Sequence, residues 1–341
     1  MAKLADTKFN RYEYRKKHQV SVSPLVRHGI NVSYIDDFTL EYMHLGCLGV
    51  TKKWLSCIIY GNHMVASLSR DKKNIVSYRL ENINVPKEFA RRPRGLHDFV
   101  RFKATEFRQI MLYTGPVVFR DILPREQYDH FLKLTVGMSI LLDEDATFRE
   151  EKIDIAQENL LRYVKDAEQI FGPTFMSYNI HSLMHIAADV IHFGVSLNDL
   201  SAFPFENLIY RLKKMVRNGQ NPIAQVTKKL LALENANLYQ KPVMTKLQIG
   251  GRKSDSYFLL ENHVAIVTSV IDKEYECQLY NKGVLYDFFK KPIKSSEIDI
   301  FYLTHGAPYK TKLLSRSALK RKMIGIPWGD DRTVLFKLRH L

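Results

Sequence analysis

The sequence predicts an α+β protein in which a mostly helical part is followed by a small antiparallel β module. From Phe38 to about residue 243, apolar residues recur every three or four positions, as they do on one face of an α-helix. From Lys246 onward, short runs rich in β-branched and aromatic residues are separated by turn residues. We therefore expect three units, namely an N-terminal arm at 1–37, a helical domain at 38–243 and a β-rich module at 244–341.

The helical part begins with one buried helix from Phe38, in which two glycines occupy the middle. A basic segment from Arg91 leads into a second helix that Pro116 kinks or ends. Two amphipathic helices follow at 125–142 and 147–171. The acidic turn between them, residues 143–145, is typical of a solvated turn that caps the next helix.

The stretch from Tyr178 to Gln225 predicts two apolar helices packed back to back. In the first, His181, His185 and Asp189 recur every fourth residue and so share one face, and the helix is expected to end near Gly194. The second starts at Pro204 and carries Glu206 in its first turn. Its apolar stripe consists of Phe205, Leu208, Ile209, Leu212, Met215 and Val216. A third helix is expected to start at Asn221-Pro222.

The charge of the chain favours a polyanionic partner. Lys and Arg number 51 against 36 Asp and Glu, which gives a net charge of +15. The candidate nucleic-acid-binding residues form two groups: Arg91, Arg92, Arg94, Arg101, Lys103 and Arg108, and then Arg211, Lys213, Lys214 and Arg217. Glu106, within the first group, is expected to form a structural ion pair. A further basic patch at 315–322 is expected on a loop or short helix.

Three cysteines without a CxxC pair indicate a reducing compartment, the nucleus or the cytoplasm. The chain has no uncharged apolar run of about 18 residues, so we expect no membrane partner. Its N-terminus is polar and charged, unlike a signal peptide. Weak candidate metal ligands are Glu41 with His44, and His181 with His185. Buried histidines that hydrogen-bond to their neighbours are the alternative.

Several long strings together resemble the C-terminal part of the CACTA-type cut-and-paste DNA transposases of animal genomes. They are LEYMHLGCLGVTKKWL, KATEFRQIMLYTGPVVF, YNIHSLMHIAADVIHFG, SAFPFENLIYRLKKMVRNGQNPIAQV and DFFKKPIKSSEIDIF. The likeness covers nearly the whole chain, with the strings in the family's order.

The resemblance implies an RNase H-like domain whose three acidic residues bind Mg²⁺ or Mn²⁺, with a helical insertion before the third acid. Glu206 resembles that third acid, and residues 38–196 resemble the insertion. In the family the first helix opens with an aspartate, two further residues and a histidine; here it opens with Glu41-Tyr42-Met43-His44, and the side chain of Glu41 is longer by one methylene. The family's first two aspartates lie upstream of the point where this sequence begins. Asp6 lies in a polar arm, and Asp36-Asp37 is typical of a helix cap.

The leading interpretation is thus a transposase-derived protein that is catalytically incomplete, holds no bound cofactor and retains weak, sequence-tolerant DNA binding in the nucleus. One alternative is a metal-dependent hydrolase that uses His181, His185, Asp189 and Glu206. Another is a protein-interaction module for an acidic partner.

Overall fold

A computed structural model describes residues 21–30, 33, 36–235, 247–304, 306, 308 and 310–340. The expected boundary at 243–244 and most of the expected N-terminal arm lie outside the described residues. Within that arm the structure describes a short helix, α1 (Pro24–Arg27). A helical region is followed by a small antiparallel β-sheet, so the predicted α+β class is confirmed.

The first predicted buried helix has two parts. A π-helix (Met43–Thr51) runs directly into α2 (Lys52–Tyr60). Gly49 lies in the π-helix where a Cβ atom would come within 2.4 Å of the Asn179 side chain, so the close packing there requires glycine. Trp54 stacks on Phe131 with ring centroids 4.2 Å apart. This helix therefore forms part of the core, as its apolar period predicts.

The second predicted helix ends as expected around Pro116. It consists of α4 (Ala104–Gln109), a π-helix (Ile110–Thr114) and α5 (Gly115–Val118), and it follows α3 (Arg70–Glu81). A proline inside a helix lacks one N–H donor and clashes with the preceding turn. The wider π-helical turn immediately before Pro116 accommodates that ring, and the helix stops two residues later.

The two predicted amphipathic helices are α6 (Arg125–Leu141) and α7 (Ala146–Phe171), which pack against each other. Asp145 caps α7 by accepting a hydrogen bond from the Phe148 N–H at 3.3 Å, as predicted. The expectation of a solvated turn is wrong for Asp143, which is fully buried. Lys337 Nζ donates to both of its carboxylate oxygens, at 2.8 and 2.9 Å, and Arg339 pairs with it. Asp143 can be buried because two cations from the end of the chain pair with it, whereas Glu144 and Asp145 are exposed.

The helix predicted from Tyr178 to Gly194 is interrupted. It consists of α8 (Tyr178–Ser182) and α9 (Ile186–Phe193), and between them the hydrogen bonds tighten to an i→i−3 pattern. Gly194 ends α9 in the left-handed conformation with φ +66°, as the sequence indicates. The helices that follow are α10 (Phe203–Met215) and α11 (Pro222–Asn235). Two predicted starts, Pro204 and Pro222, thus lie in the first turns of these helices.

In the described part of the chain, eight strands form one antiparallel sheet: β1 (Tyr257–Leu259), β2 (His263–Ile271), β3 (Glu274–Asn281), β4 (Tyr286–Asp287), β5 (Ile300–Thr304), β6 (Lys310–Leu314), β7 (Arg321–Pro327) and β8 (Arg332–Lys337). Their order in the sheet is β4-β5-β8-β7-β1-β2-β3-β6. In β8, Val334 and Phe336 join the core of the helices, and Leu335 packs on the opposite face of the sheet. The sheet and the helices therefore share one core.

The basic patch expected at 315–322 on a loop or short helix lies on a loop with a 3₁₀ turn (Arg316–Ala318) as far as Lys320. Arg321 and Lys322 instead belong to β7. Lys322 is fully buried in β7, where its Nζ lies 2.7 Å from a Glu88 oxygen and 2.7 Å from an Asp255 oxygen. Lys322 is thus a buried ion-pair residue and is not part of an exposed basic surface.

Candidate functional site

The first turn of α10 lies against the start of the first π-helix. The main-chain N–H of Ala202, the residue before α10, donates to Glu41 Oε1 at 2.8 Å. Phe203 contacts Tyr42 with ring centroids 5.8 Å apart, and the Arg108 guanidinium lies 4.5 Å above the Phe203 ring. These contacts bring Glu206, predicted as the third acid, close to the predicted pair Glu41 and His44.

Both carboxylate oxygens of Glu41 accept hydrogen bonds from main-chain N–H groups. Besides the Ala202 N–H, it accepts hydrogen bonds from the main-chain N–H groups of Met43, at 2.7 Å, and His44, at 2.9 Å. A carboxylate at a helix N-terminus is stabilised by such unsatisfied donors and by the helix dipole. Glu41 therefore acts as a shared cap that joins the N-terminal ends of two helices.

His44 lies between two carboxylates. Its Nδ1 is 2.8 Å from Glu41 Oε2, and its Nε2 is 3.9 Å from Glu206 Oε1. The His44 and Glu206 side chains are 56% and 53% exposed. The first hydrogen bond orients the imidazole so that its second nitrogen faces Glu206.

The possible metal ligands at this site do not fit a two-metal centre. Both Glu41 oxygens already accept hydrogen bonds, which leaves His44 Nε2 and the Glu206 carboxylate to face an incoming ion. In two-metal phosphoryl transfer the metal ions lie about 4 Å apart and hold the attacking and leaving oxygens, so both ions need ligands. Across the described residues, no three His, Cys, Asp or Glu side chains are grouped so that they could hold a metal ion.

The second predicted metal group is not assembled as the sequence pattern suggested. His181 belongs to α8 and His185 precedes α9, and their ring centroids are 5.5 Å apart in an edge-to-face arrangement. Asp189 accepts a hydrogen bond from the Leu40 N–H at 2.6 Å. Between the two helices the i→i−3 hydrogen bonds replace the regular α-helical geometry assumed in the ligand prediction, although the two imidazole rings remain neighbours.

The cysteines are poorly suited to act as nucleophiles. All three are buried, and burial raises the pKa of Cys47 to about 12 and that of Cys277 to about 11. Burial also raises the pKa of Cys57. Since the thiolate is the reactive form, these thiols remain neutral and unreactive at physiological pH.

The first basic group is divided between structural and exposed roles. Arg94 Nε donates to buried Glu106 Oε1 at 2.7 Å, which is the kind of ion pair predicted for Glu106, and the Lys103 N–H also donates to that carboxylate. Arg108 is half-buried against Phe203. The exposed members are Arg91, Arg92, Arg101 and Lys103.

The second basic group is exposed throughout. Arg211, Lys213, Lys214 and Arg217 lie in α10 or just after it, and within the described part of the chain none of the four forms an ion pair. Lys214 Nζ lies 4.6 Å above the Tyr210 ring. Six basic residues stand against two acidic ones between Phe203 and Asn235. This helix pair is therefore a cationic surface.

The apolar stripe of α10 is not packed back to back with the preceding helix, as was expected. No residue of α10, all of which the structure describes, is buried, and Phe205 is 67% exposed. The apolar side chains of α11 are also accessible, with Ile223 81% exposed. The first turn of α10 is held to the helical body, whereas Leu208 and Ile209 further along are 46% and 43% exposed, so this surface is accessible to a partner.

Residues 209–338 match the family model described as Domain of unknown function (DUF8592). The matched region begins inside α10 and includes α11 and the whole sheet. No curated protein and no solved structure matches the chain. In the described residues, no helix is both long enough and apolar enough to cross a membrane.

Two exposed tyrosines that were not predicted from the sequence, Tyr60 and Tyr78, line a groove beside α3. Tyr60 ends an apolar run and Tyr78 lies between two apolar positions, so both resemble core residues. Basic and amide residues recur every three or four positions along α3, and this pattern in the sequence could have indicated the groove.

Proposed function

We propose that this chain is a transposase-derived protein that binds double-stranded DNA, without sequence preference, through the cationic surface of α10. The observation that carries the proposal is the group of exposed basic side chains at Arg211, Lys213, Lys214 and Arg217, none of which forms an ion pair within the part of the chain that the structure describes. Cations of this kind neutralise phosphates and release condensed counterions, which requires no reading of bases.

The net charge of +15 and the resemblance to CACTA-type transposases support the same partner. In this proposal Glu206 corresponds to the family's third acid, at the end of an RNase H-like domain. Its closest described ionisable partner is His44, at 3.9 Å. We therefore propose a protein that binds DNA but does not cleave it, located in the nucleus.

The test compares two variants with the same loss of charge. The first replaces Arg211, Lys213, Lys214 and Arg217 by Gln. The control replaces four lysines that are exposed elsewhere by Gln, namely Lys165, Lys253, Lys273 and Lys291. Binding of a fluorescent 20-base-pair duplex is followed by anisotropy from about 50 to 200 mM salt.

We expect the wild type to bind with a dissociation constant on the order of micromolar or weaker. If all four side chains contact phosphates, the negative slope of log K (association) against log salt becomes shallower by about 3 to 4 in the α10 variant, because each contact contributes about −0.9. Equal effects of the two variants would contradict the α10 site. If poly-L-glutamate displaces the fluorescent duplex as readily as unlabelled DNA does, the result would favour an acidic protein partner.

A further inference from the structure

A groove with a volume of about 560 Å³ lies between the end of α2 and one face of α3. Tyr60 and Leu96 form part of one wall. The other wall is α3, which Ser69 caps by accepting a hydrogen bond from the Lys72 N–H at 3.3 Å. The α3 residues that line the groove are Arg70, Lys73, Asn74, Ser77, Tyr78 and Glu81. Their spacing of three and four residues places all of them on the same face of the helix.

Two aromatic rings at this groove are exposed to solvent. Tyr60 is 60% exposed and Tyr78 is 71% exposed. One edge of the groove is held firmly, because Tyr60 packs against Phe99 with ring centroids 5.9 Å apart and the Leu96 N–H donates to Ser77 Oγ at 2.9 Å. Exposed tyrosines on a rigid support offer faces on which a planar group can stack.

The charges along the groove have a fixed order. Arg70 and Lys73 lie at the N-terminal end of α3, and in the described part of the chain neither forms an ion pair. At the other end, the Glu81 carboxylate lies 3.7 Å from His97 Nε2. Asn74, between these ends, carries an amide that both donates and accepts hydrogen bonds. Along α3 the groove thus presents two cations, then the Asn74 amide, then the Tyr78 ring, and finally the Glu81 carboxylate.

We propose that this groove binds unpaired nucleic acid, with bases stacked on Tyr60 and Tyr78 and phosphates paired with Arg70 and Lys73. Single-strand sites combine a cationic track with aromatic side chains, and stacking tolerates any base because every base has a π-face. In a duplex the bases stack on each other, so their faces are not free for these rings. The site goes beyond the duplex-binding surface of α10 and does not depend on it.

The test measures binding of fluorescein-labelled dT12 to the full chain by anisotropy. We expect Tyr78→Ala to raise the dissociation constant at least about fivefold, and Tyr60→Ala to act in the same direction. Tyr78→Phe keeps the ring and is expected to bind like the wild type. The matched control is Tyr178→Ala, which removes a ring that is 77% exposed on α8 and is expected to leave binding unchanged.

Tyr78 is the decisive position because its ring is exposed, so its loss should not disturb folding. Equal dT12 affinity for Tyr78→Ala and the wild type would overturn the proposal. An equal loss in Tyr78→Phe would also overturn it, since that result would make the hydroxyl group essential and exclude stacking. Duplex affinity is expected to be the same in all tyrosine variants. If the wild type does not bind duplex DNA, only the α10 proposal is refuted. The comparison of dT12 affinity between the tyrosine variants and the wild type still tests the groove.

Discussion

We expect Asp143→Asn to destabilise the protein strongly because the change leaves two buried cations without their anion. Asp143 is fully buried, and Lys337 and Arg339 are 9% and 2% exposed. Burial lowers the pKa of Lys337, and it lowers that of Arg339 to about 10. Burial therefore already disfavours the charged form of both side chains. Asp299 is the other nearby anion, with an oxygen 3.8 Å from Lys337 Nζ.

Removing one partner of a buried ion pair typically costs about 3 to 5 kcal/mol. A protein of ordinary stability has only about 5 to 15 kcal/mol in total, so the variant would lose a large share of its stability. The matched control is Asp145→Asn, two residues away. Asp145 caps α7, and Asn caps helices about as well as Asp, so this change should alter stability by only a few tenths of a kcal/mol.

The measurement is urea unfolding followed by circular dichroism for the wild type and both variants at pH 7. Equal m-values would show that the unfolding transitions are comparable. A difference between Asp143→Asn and Asp145→Asn of less than about 1 kcal/mol would refute the reasoning. The buried cations would then have to find other partners or lose their protons at little cost.

Three further predictions concern other buried or capping groups. Burial lowers the pKa of His130 to about 4 from 6.5, so the unfolded chain takes up the proton first as the pH falls. His130 should therefore remove about 3 kcal/mol of stability between pH 6.5 and 4, and His130→Leu should flatten the dependence of the melting temperature on pH over that range. Lys322→Met leaves the carboxylates of Glu88 and Asp255 buried without a cation, so it should lower the free energy of unfolding, measured in urea, by about 3 to 5 kcal/mol. A loss below about 1 kcal/mol would contradict the role of Lys322 as the partner of both carboxylates. Glu41→Ala removes the shared cap, so trypsin should cleave α10 faster than in the wild type, while the melting temperature of the protein changes little. An unchanged rate of cleavage would show that other contacts hold α10 in place.

Local features of the fold were predictable because they depend on neighbouring residues. The proline at the start of α10, the aspartate cap of α7 and the glycine after α9 each act within one helical turn. The change from a 3.6-residue to a two-residue apolar period likewise marks the start of the sheet. The exposed basic group on α10 follows from the same local pattern, since charged residues on the opposite side from an apolar stripe remain in water.

The sequence by itself determined that helices precede strands, several of the helix ends and the net charge, because these depend on residues close together in the chain. Only the tertiary structure decided which charges are buried. Asp143 meets Lys337 from a position 194 residues away, and Lys322 meets Glu88 across 234 residues. The tertiary structure also decided that Phe205 stays exposed, since burial of an apolar face requires a partner surface. No local pattern specifies that surface, because the distant parts of the chain that supply it are brought together by folding.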